Sequence, residues 1–221
     1  MKKRLINFKF IMTIAIIEIL CYMAVDMYLA SMTDISEYFG TSYSKVQLSL
    51  TFYLFAMGIG QLFFGPIIDF FGRKIPLILG ISLYALCSFA ITTSSNIELF
   101  LLYRVVQGLG VALIYVCLIS MVRDVSKGKV AAKIFAILIT IGAITPILAP
   151  AIGGYIDQVF GWKAVFYLYF ILAILVVVLS LFTLQETLKK EKKVTIDFKN
   201  IYEKSMAPEG VLTIKNRSNM N

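Results

Sequence analysis

Six long apolar segments dominate this chain, and each is long enough to cross a lipid bilayer. They run from about Phe10 to Leu29, Val46 to Ile68, Ile75 to Ile91, Ile97 to Ile119, Val130 to Ile156 and Ala164 to Leu184. A transmembrane helix needs about 20 predominantly apolar residues, since it must span the hydrocarbon core while satisfying its own backbone groups. We therefore predict an all-α integral membrane protein built as a six-helix bundle.

The composition agrees with a membrane setting. With 59% hydrophobic and 15% charged residues, the 221-residue chain has too little polar surface for a soluble globule. The net charge of +8 comes from basic residues at the ends of the apolar runs, which favours a lipid bilayer over nucleic acid as partner. Histidine is absent, so Ser-His or Cys-His catalysis and His-ligated metal sites are excluded. We expect neither an enzyme nor a cofactor.

Lysine and arginine are unequally divided between the two sides of the predicted membrane. One side has only Lys45 and Lys163 near the helix ends. The basic residues of the other side are Lys2, Lys3, Arg4, Lys9, Arg73, Lys74, Arg123, Lys127, Lys129, Lys133, Lys189, Lys190, Lys192 and Lys193. The positive-inside rule then places both termini in the cytoplasm. Residues 1–190 are predicted to form the transmembrane domain, and 191–221 a weakly ordered cytoplasmic tail.

Three charged residues lie inside the apolar runs. Glu18 and Asp26 belong to the first run and Arg104 to the fourth. Such groups cost several kcal/mol at membrane depth unless they are paired, protonated or facing water, so an aqueous cavity in the bundle is expected. Arg104 requires an acidic partner, carbonyls or water, and Glu18 or Asp26 is the available buried counter-charge. A locally paired or snorkelling structural acid is the alternative for Glu18.

A ten-residue motif joins the second and third runs. Gly65 would allow close helix approach, Pro66 would bend or end the helix, and Gly72 would permit a tight turn. Asp69 is expected to pair with Arg73 or to cap a helix. The segment reads Gly65-Pro66-Ile67-Ile68-Asp69-Phe70-Phe71-Gly72-Arg73-Lys74. It resembles the G-x-x-x-D-x-x-G-R-K loop motif of the major facilitator superfamily.

Two further segments carry the same resemblance. Arg104-Val105-Val106-Gln107-Gly108 is similar to the R-x-x-Q-G motif of that superfamily's fourth helix. Ala149-Pro150-Ala151-Ile152-Gly153-Gly154 is similar to its antiporter motif G-P-x-x-G-G, with alanine in the first position. Pro150, Gly153 and Gly154 would let that helix bend and pack closely. Inside a span, Gly108 and Gly110 predict helix packing rather than a nucleotide-binding loop.

Together these motifs resemble the amino-terminal half of a drug:proton antiporter of the bicyclomycin-resistance and chloramphenicol-efflux branch. Asp26-Met27-Tyr28-Leu29 resembles that branch's first-helix signature, with Ala30 where proline is usual. The resemblance implies export of a small lipophilic or cationic drug across a bacterial inner membrane, coupled to protons. It also implies that Glu18, Asp26 and Arg104 serve coupling, and that the Gly65–Lys74 motif is a conformational latch.

Length is where the chain departs from the family. The superfamily places its substrate site between two six-helix halves, whereas this chain supplies one half of the fold. A working protein would then need a homodimer or a separate second-half chain. The alternatives are an inactive remnant, a membrane interaction subunit, or a facilitator of another small solute.

Overall fold

Seven α-helices and one 3-10 segment make up the computed structural model, which describes residues 8–188. The elements are α1 (Phe8–Asp26), the 3-10 segment (Met27–Ser31), α2 (Met32–Tyr38), α3 (Tyr43–Phe71), α4 (Lys74–Thr92), α5 (Ile97–Val125), α6 (Gly128–Phe160) and α7 (Trp162–Thr183). Between residues 8 and 188 there is no strand. Six spans are long and apolar enough to cross a membrane, which confirms the predicted six-helix architecture. The predicted tail over 191–221 lies outside the described residues.

The spans extend beyond the apolar runs from which they were predicted. Pro66 was predicted to bend its helix or to end it. It does not end the helix, because α3 continues to Phe71. The helix stops at Gly72, whose φ of 96° lies in the region that favours glycine and whose N–H donates to Ile68 O at 3.1 Å. A helix need not end where its hydrophobicity does, since polar residues continue it past the hydrocarbon.

The first span is interrupted rather than continuous. It covers Phe8–Tyr38, well past the predicted end near Leu29, and the 3-10 segment at Met27–Ser31 separates α1 from α2. α6 approaches this break closely, because a Cβ added at Gly153 would collide with the Met27 carbonyl. The absence of a side chain at Gly153 thus permits near backbone contact between the two elements.

Glycines permit close contacts between several helices of the bundle. A Cβ on Gly108 would collide with the Tyr53 carbonyl of α3, and one on Gly110 would lie 3.1 Å from Gly80 O of α4. These contacts confirm that Gly108 and Gly110 mark helix packing. At Gly65 no atom within residues 8–188 lies within 4 Å of an added Cβ, so the close approach predicted there is not made inside this bundle and stays a prediction.

The two ends of the bundle differ in character. At one end, here called the Trp162 end, Trp162 packs in a cluster with Tyr38, Phe39, Phe100 and Phe166, with ring centroids 5.0–6.1 Å apart. The opposite end is called the Arg73 end. It contains the α3–α4 turn, the end of α5, the start of α6 and the end of α7.

Candidate functional site

Arg104 lies at the centre of the bundle with none of its surface exposed. Its Nη1 donates to Ala24 O at 3.2 Å and to Gln107 Oε1 at 2.6 Å, and its Nη2 donates to Ala24 O at 3.3 Å. Within residues 8–188 it forms no ion pair. The prediction that Glu18 or Asp26 supplies its counter-charge is therefore wrong. A carbonyl, which was another of the options named from the sequence, is the partner used.

Aromatic rings complete the surroundings of Arg104. The guanidinium carbon lies 4.2 Å from the centre of the Tyr28 ring and 4.4 Å from that of Tyr53. Ring faces carry negative charge density, so they stabilise a desolvated cation by about 1–2 kcal/mol each. Gln107 Nε2 donates onward to Ser88 Oγ at 2.8 Å, which extends the network to α4. This cation is held by neutral groups from four helices and the 3-10 segment.

Glu18 lies apart from Arg104, at a cavity of about 410 Å³ between α1, α5 and α6. The side chain is buried, yet within residues 8–188 its carboxylate has no hydrogen bond and no ion pair. Tyr22, Tyr115 and Phe135 line the same cavity, and Arg123 lies at its rim toward the Arg73 end. A lone carboxylate beside aromatic walls is suited to bind a proton or an organic cation.

Tyr22 is held in place at this cavity. Its ring meets that of Tyr115 edge to face at 6.3 Å. On the other side it packs on α6 at Gly142, where an added Cβ would lie 2.5 Å from the Tyr22 hydroxyl oxygen. Because Gly142 has no side chain, the Tyr22 ring can pack directly against the backbone of α6.

Asp26 is the last residue of α1 and is half-buried. It forms no ion pair among the described residues, and eight residues separate it from Glu18, or about 12 Å along the helix axis. No two of the residues Glu18, Asp26 and Arg104 form an ion pair within residues 8–188, so they do not make one ion-paired cluster.

The predicted ion pair of the loop motif is present at the Arg73 end. Arg73 Nη1 lies 2.7 Å from Asp69 Oδ1, and Nε lies 3.1 Å from Asp124 Oδ2 on α5. Burial alone would lower the pKa of Arg73, but the two carboxylates outweigh it and raise the pKa above its ordinary value. This triad fastens the α3–α4 turn to the end of α5.

Glu186, which was not predicted, completes this end. Its carboxylate accepts from the backbone N–H groups of Arg73 at 3.0 Å, Lys74 at 3.2 Å and Leu188 at 2.8 Å. Burial raises the pKa of Glu186, but the N–H donors lower it by more than burial raises it. The net pKa is therefore below the ordinary value. Gly72 leaves room for this carboxylate, since an added Cβ would collide with it. The only sequence signal was an acid in the polar segment just after the last span.

Two residues of the antiporter-like motif, Ala149 and Gly153, lie on the buried stripe of α6. That stripe recurs every four residues at Thr145, Ala149, Gly153 and Asp157. Pro150 lies inside the helix, and an added Cβ on Gly154 would lie 3.4 Å from the Ala30 Cβ. Asp157 was not predicted. Its place four residues after Gly153 was the signal available in the sequence.

Known proteins with similar sequences fall in one family. The family model described as Major Facilitator Superfamily matches residues 14–217. A bicyclomycin resistance protein homolog of Haemophilus influenzae is 35% identical over 86% of this chain and 48% of its own length. The multidrug resistance protein MdtL of Shewanella oneidensis is 34% identical over 75% of this chain and 42% of its own length. A chloramphenicol resistance protein of Pseudomonas aeruginosa is 36% identical over 67% of this chain and 36% of its own length.

Solved structures show the same fold. The proton:xylose symporter XylE aligns with a TM-score of 0.72 at 16% identity, covering 90% of this chain and 50% of its own. The human organic anion transporter MFSD10 aligns with a TM-score of 0.69 at 15% identity, and the alignment covers 88% of this chain and 52% of its own. The chain thus spans about half the length of the proteins it matches. It is a multi-pass membrane protein with a half-fold of these transporters, and it belongs to the major facilitator superfamily.

Proposed function

We propose that this chain forms one half of a multidrug efflux transporter that exchanges drug for protons, with Glu18 as the coupling carboxylate. The observation that carries the proposal is an unpaired, buried carboxylate facing a cavity in a bundle whose relatives are named for drug resistance. A carboxylate in such a place is costly unless it binds a proton or a cationic ligand. One group that exchanges these two partners couples their movements.

The cavity favours small lipophilic substrates that carry a positive charge. Its volume of about 410 Å³ lies within the usual range for small-molecule sites, about 300–1,000 Å³. Tyr22, Tyr115 and Phe135 offer ring faces, and Glu18 is the one acid among the lining residues. Arg123 is exposed at the rim, at the end of the cavity toward Arg73. Aromatic walls with one carboxylate bind organic cations through cation–π contact and charge together.

A second six-helix bundle is proposed to complete the transport path, supplied by another copy or by a second-half sequence. α3 and α6 are the least covered of the six spans, and they expose large apolar side chains such as Phe55, Phe63, Ile147 and Tyr155. A partner bundle on these two helices would enclose the α1 face that lies between the cavity and Asp26.

The Arg73 end is assigned to the cytoplasm. Within residues 8–188 that end carries most of the basic residues, including Arg73, Lys74, Arg123 and Lys127, whereas Lys45 and Lys163 are at the Trp162 end. The bias follows the positive-inside rule. The membrane would be the bacterial inner membrane, as the resistance relatives suggest.

Efflux from cells that express the chain, alone and with a second-half sequence from a full-length relative, tests the proposal. We expect energy-dependent export of a fluorescent lipophilic cation such as ethidium. This export should stop when a protonophore removes the proton gradient. Glu18→Gln should lower gradient-driven export at least about tenfold at equal protein abundance, the equivalent of about 1.4 kcal/mol.

Glu98→Gln is the matched control, because Glu98 is an exposed acid at the other end that pairs with Lys45. It should export like the unsubstituted chain. Normal abundance without export in any combination would favour a membrane interaction subunit or an inactive remnant. Export of a neutral solute at a rate that the protonophore does not change would favour a facilitator.

A further inference from the structure

Asp157 is a second buried carboxylate, at the opposite end of the bundle from the Arg73 turn. It lies on the buried stripe of α6, and 7% of its surface is exposed. Its Oδ1 is fully buried and has no hydrogen-bond partner. Leaving an ionised carboxylate oxygen without donors in a buried place costs several kcal/mol, so the group needs an explanation.

The element that faces Asp157 carries a second unpaired polar atom. Ser31, in the 3-10 segment, has none of its surface exposed, and its Oγ also lacks a hydrogen-bond partner. Ser31 lies against the Asp157 carboxylate, although the two do not reach ordinary hydrogen-bond geometry. The register explains the placement: Gly153 packs on Met27, and four residues further along each element Asp157 faces Ser31.

No other charge neutralises Asp157 in its surroundings. Asp34 of α2 is a charged group that acts on it, and its charge has the same sign, which disfavours ionisation of Asp157. Lys163 donates to Tyr38 Oη at 2.9 Å instead. Within residues 8–188 no cluster of three or more acidic, cysteine or histidine side chains is placed to hold a metal ion. A proton is the cation that fits a single carboxylate of this kind.

We propose that Asp157 is a proton-binding site separate from Glu18, whose protonated carboxyl donates to Ser31 Oγ and so closes the contact between α6 and the 3-10 segment. When Asp157 is ionised, the Ser31 hydroxyl can turn to donate to it, but one donor does not solvate a carboxylate, so water must enter the contact. The contact therefore opens when Asp157 ionises. If the Trp162 end faces outward, as the proposed function requires, protons arriving from outside close the outer side of the bundle.

A disulfide trap measures the closure without any substrate. The Cβ atoms at positions 30 and 154 would be 3.4 Å apart, close to the separation in a disulfide, so Ala30→Cys with Gly154→Cys should cross-link when the contact is closed. The three natural cysteines are buried, and the parent chain serves as the background. Remaining thiols are counted with PEG-maleimide after denaturation.

Asp157→Asn provides the reference, because its amide stays neutral and can donate to Ser31 at every pH. Dividing the cross-linking rate of the chain that keeps Asp157 by that of the chain with Asp157→Asn cancels the pH dependence of the thiols themselves. We expect this ratio to fall at least about threefold between pH 4 and 8.5 as the contact opens. A ratio that stays constant over this range overturns the proposal.

Infrared spectra in lipid provide a second measurement that does not depend on the folding of Asp157→Asn. They are taken with Glu18→Gln as the background, which removes the other proposed proton-binding carboxylate. A protonated carboxyl band should disappear as the pH rises, and Ser31→Ala should shift its frequency by removing the acceptor. A band unmoved by Ser31→Ala overturns the assignment. Since neither readout uses drug export, a failure of the proposed function would leave both results interpretable.

Discussion

Arg104 is bound by the backbone carbonyl of Ala24, which accepts from both terminal nitrogens of the guanidinium at 3.2 and 3.3 Å. Ala24 lies two residues before α1 ends and the 3-10 segment begins. The last carbonyls of a helix lack partners further along that helix. The break in the first span thus releases an acceptor in the middle of the bundle, and Arg104 uses it.

Arg104→Lys should destabilise the bundle although it keeps the charge. Lysine lacks the planar fork that reaches Ala24 O and Gln107 Oε1 together, and it stacks less well on Tyr28 and Tyr53. We expect a loss of about 2 kcal/mol or more in the free energy of unfolding, since hydrogen bonds to charged groups contribute about 1.5–3 kcal/mol each. Thermal unfolding in detergent measures the loss.

Arg123→Lys is the control for this substitution, because Arg123 is exposed and makes no ion pair among the described residues. It should unfold like the unsubstituted chain. If Arg104→Lys were equally stable, the fork and the ring contacts would not be what holds the cation.

Gly108→Ala should weaken the contact between α3 and α5. Its new methyl group would collide with the Tyr53 backbone, which has little freedom to move. Overpacking of this kind costs about 1–3 kcal/mol. Gly58→Ala is the matched control, since a Cβ there meets nothing within 4 Å and alanine favours the helix. Unfolding curves of the two variants should move in opposite directions; a shared direction would argue against the close contact.

The features that follow from local properties were predictable from sequence. The spans follow from apolar run length, and the Asp69–Arg73 pair from an i, i+4 spacing of opposite charges. Burial of Glu18 at a cavity follows from the cost of an acid in lipid. Each of these can be read from residues that are close together in the chain.

The partners of Arg104 and Glu186 could not be predicted, because both depend on backbone groups that tertiary structure leaves free. No glycine or proline marks the break at Met27–Ser31, so the free carbonyl of Ala24 had no signal in the sequence. Glu186 binds the N–H groups at the start of α4, more than 100 residues earlier in the chain. The sequence alone makes an acid the expected partner of an arginine, because the position of a free backbone carbonyl is known only from the structure.

Labelling of single introduced cysteines should reveal the orientation. Thr93 and Lys127 are exposed and lie at opposite ends of the bundle, in the α4–α5 and α5–α6 turns. The charge bias predicts that Thr93→Cys reacts with a membrane-impermeant maleimide in intact cells, whereas Lys127→Cys reacts only after permeabilisation. The natural cysteines are buried, so the parent chain shows the background. The reverse pattern would put the Arg73 end outside.

The capping of α4 by Glu186 should make stability depend on pH. The folded-state pKa of Glu186 lies below the ordinary value of 4.5, because its N–H donors outweigh burial. A depressed pKa means that the ionised carboxylate contributes stability above about pH 4.5, and that this contribution is lost as the pH falls through the folded-state pKa. Protonation removes the charge that the N–H groups of Arg73 and Lys74 bind.

Glu186→Gln should therefore lower the unfolding temperature at pH 7, and the difference from the unsubstituted chain should shrink as the pH falls below 4.5 and vanish below the folded-state pKa. Glu37→Gln, which alters an exposed acid at the other end, is the control and should unfold like the unsubstituted chain at pH 7. Because Glu186 joins the segment after α7 to the start of α4, the variant should also loosen the Arg73 end and speed proteolysis there. A gap between Glu186→Gln and the unsubstituted chain that persists at low pH would assign the effect to packing of the side chain instead of its charge.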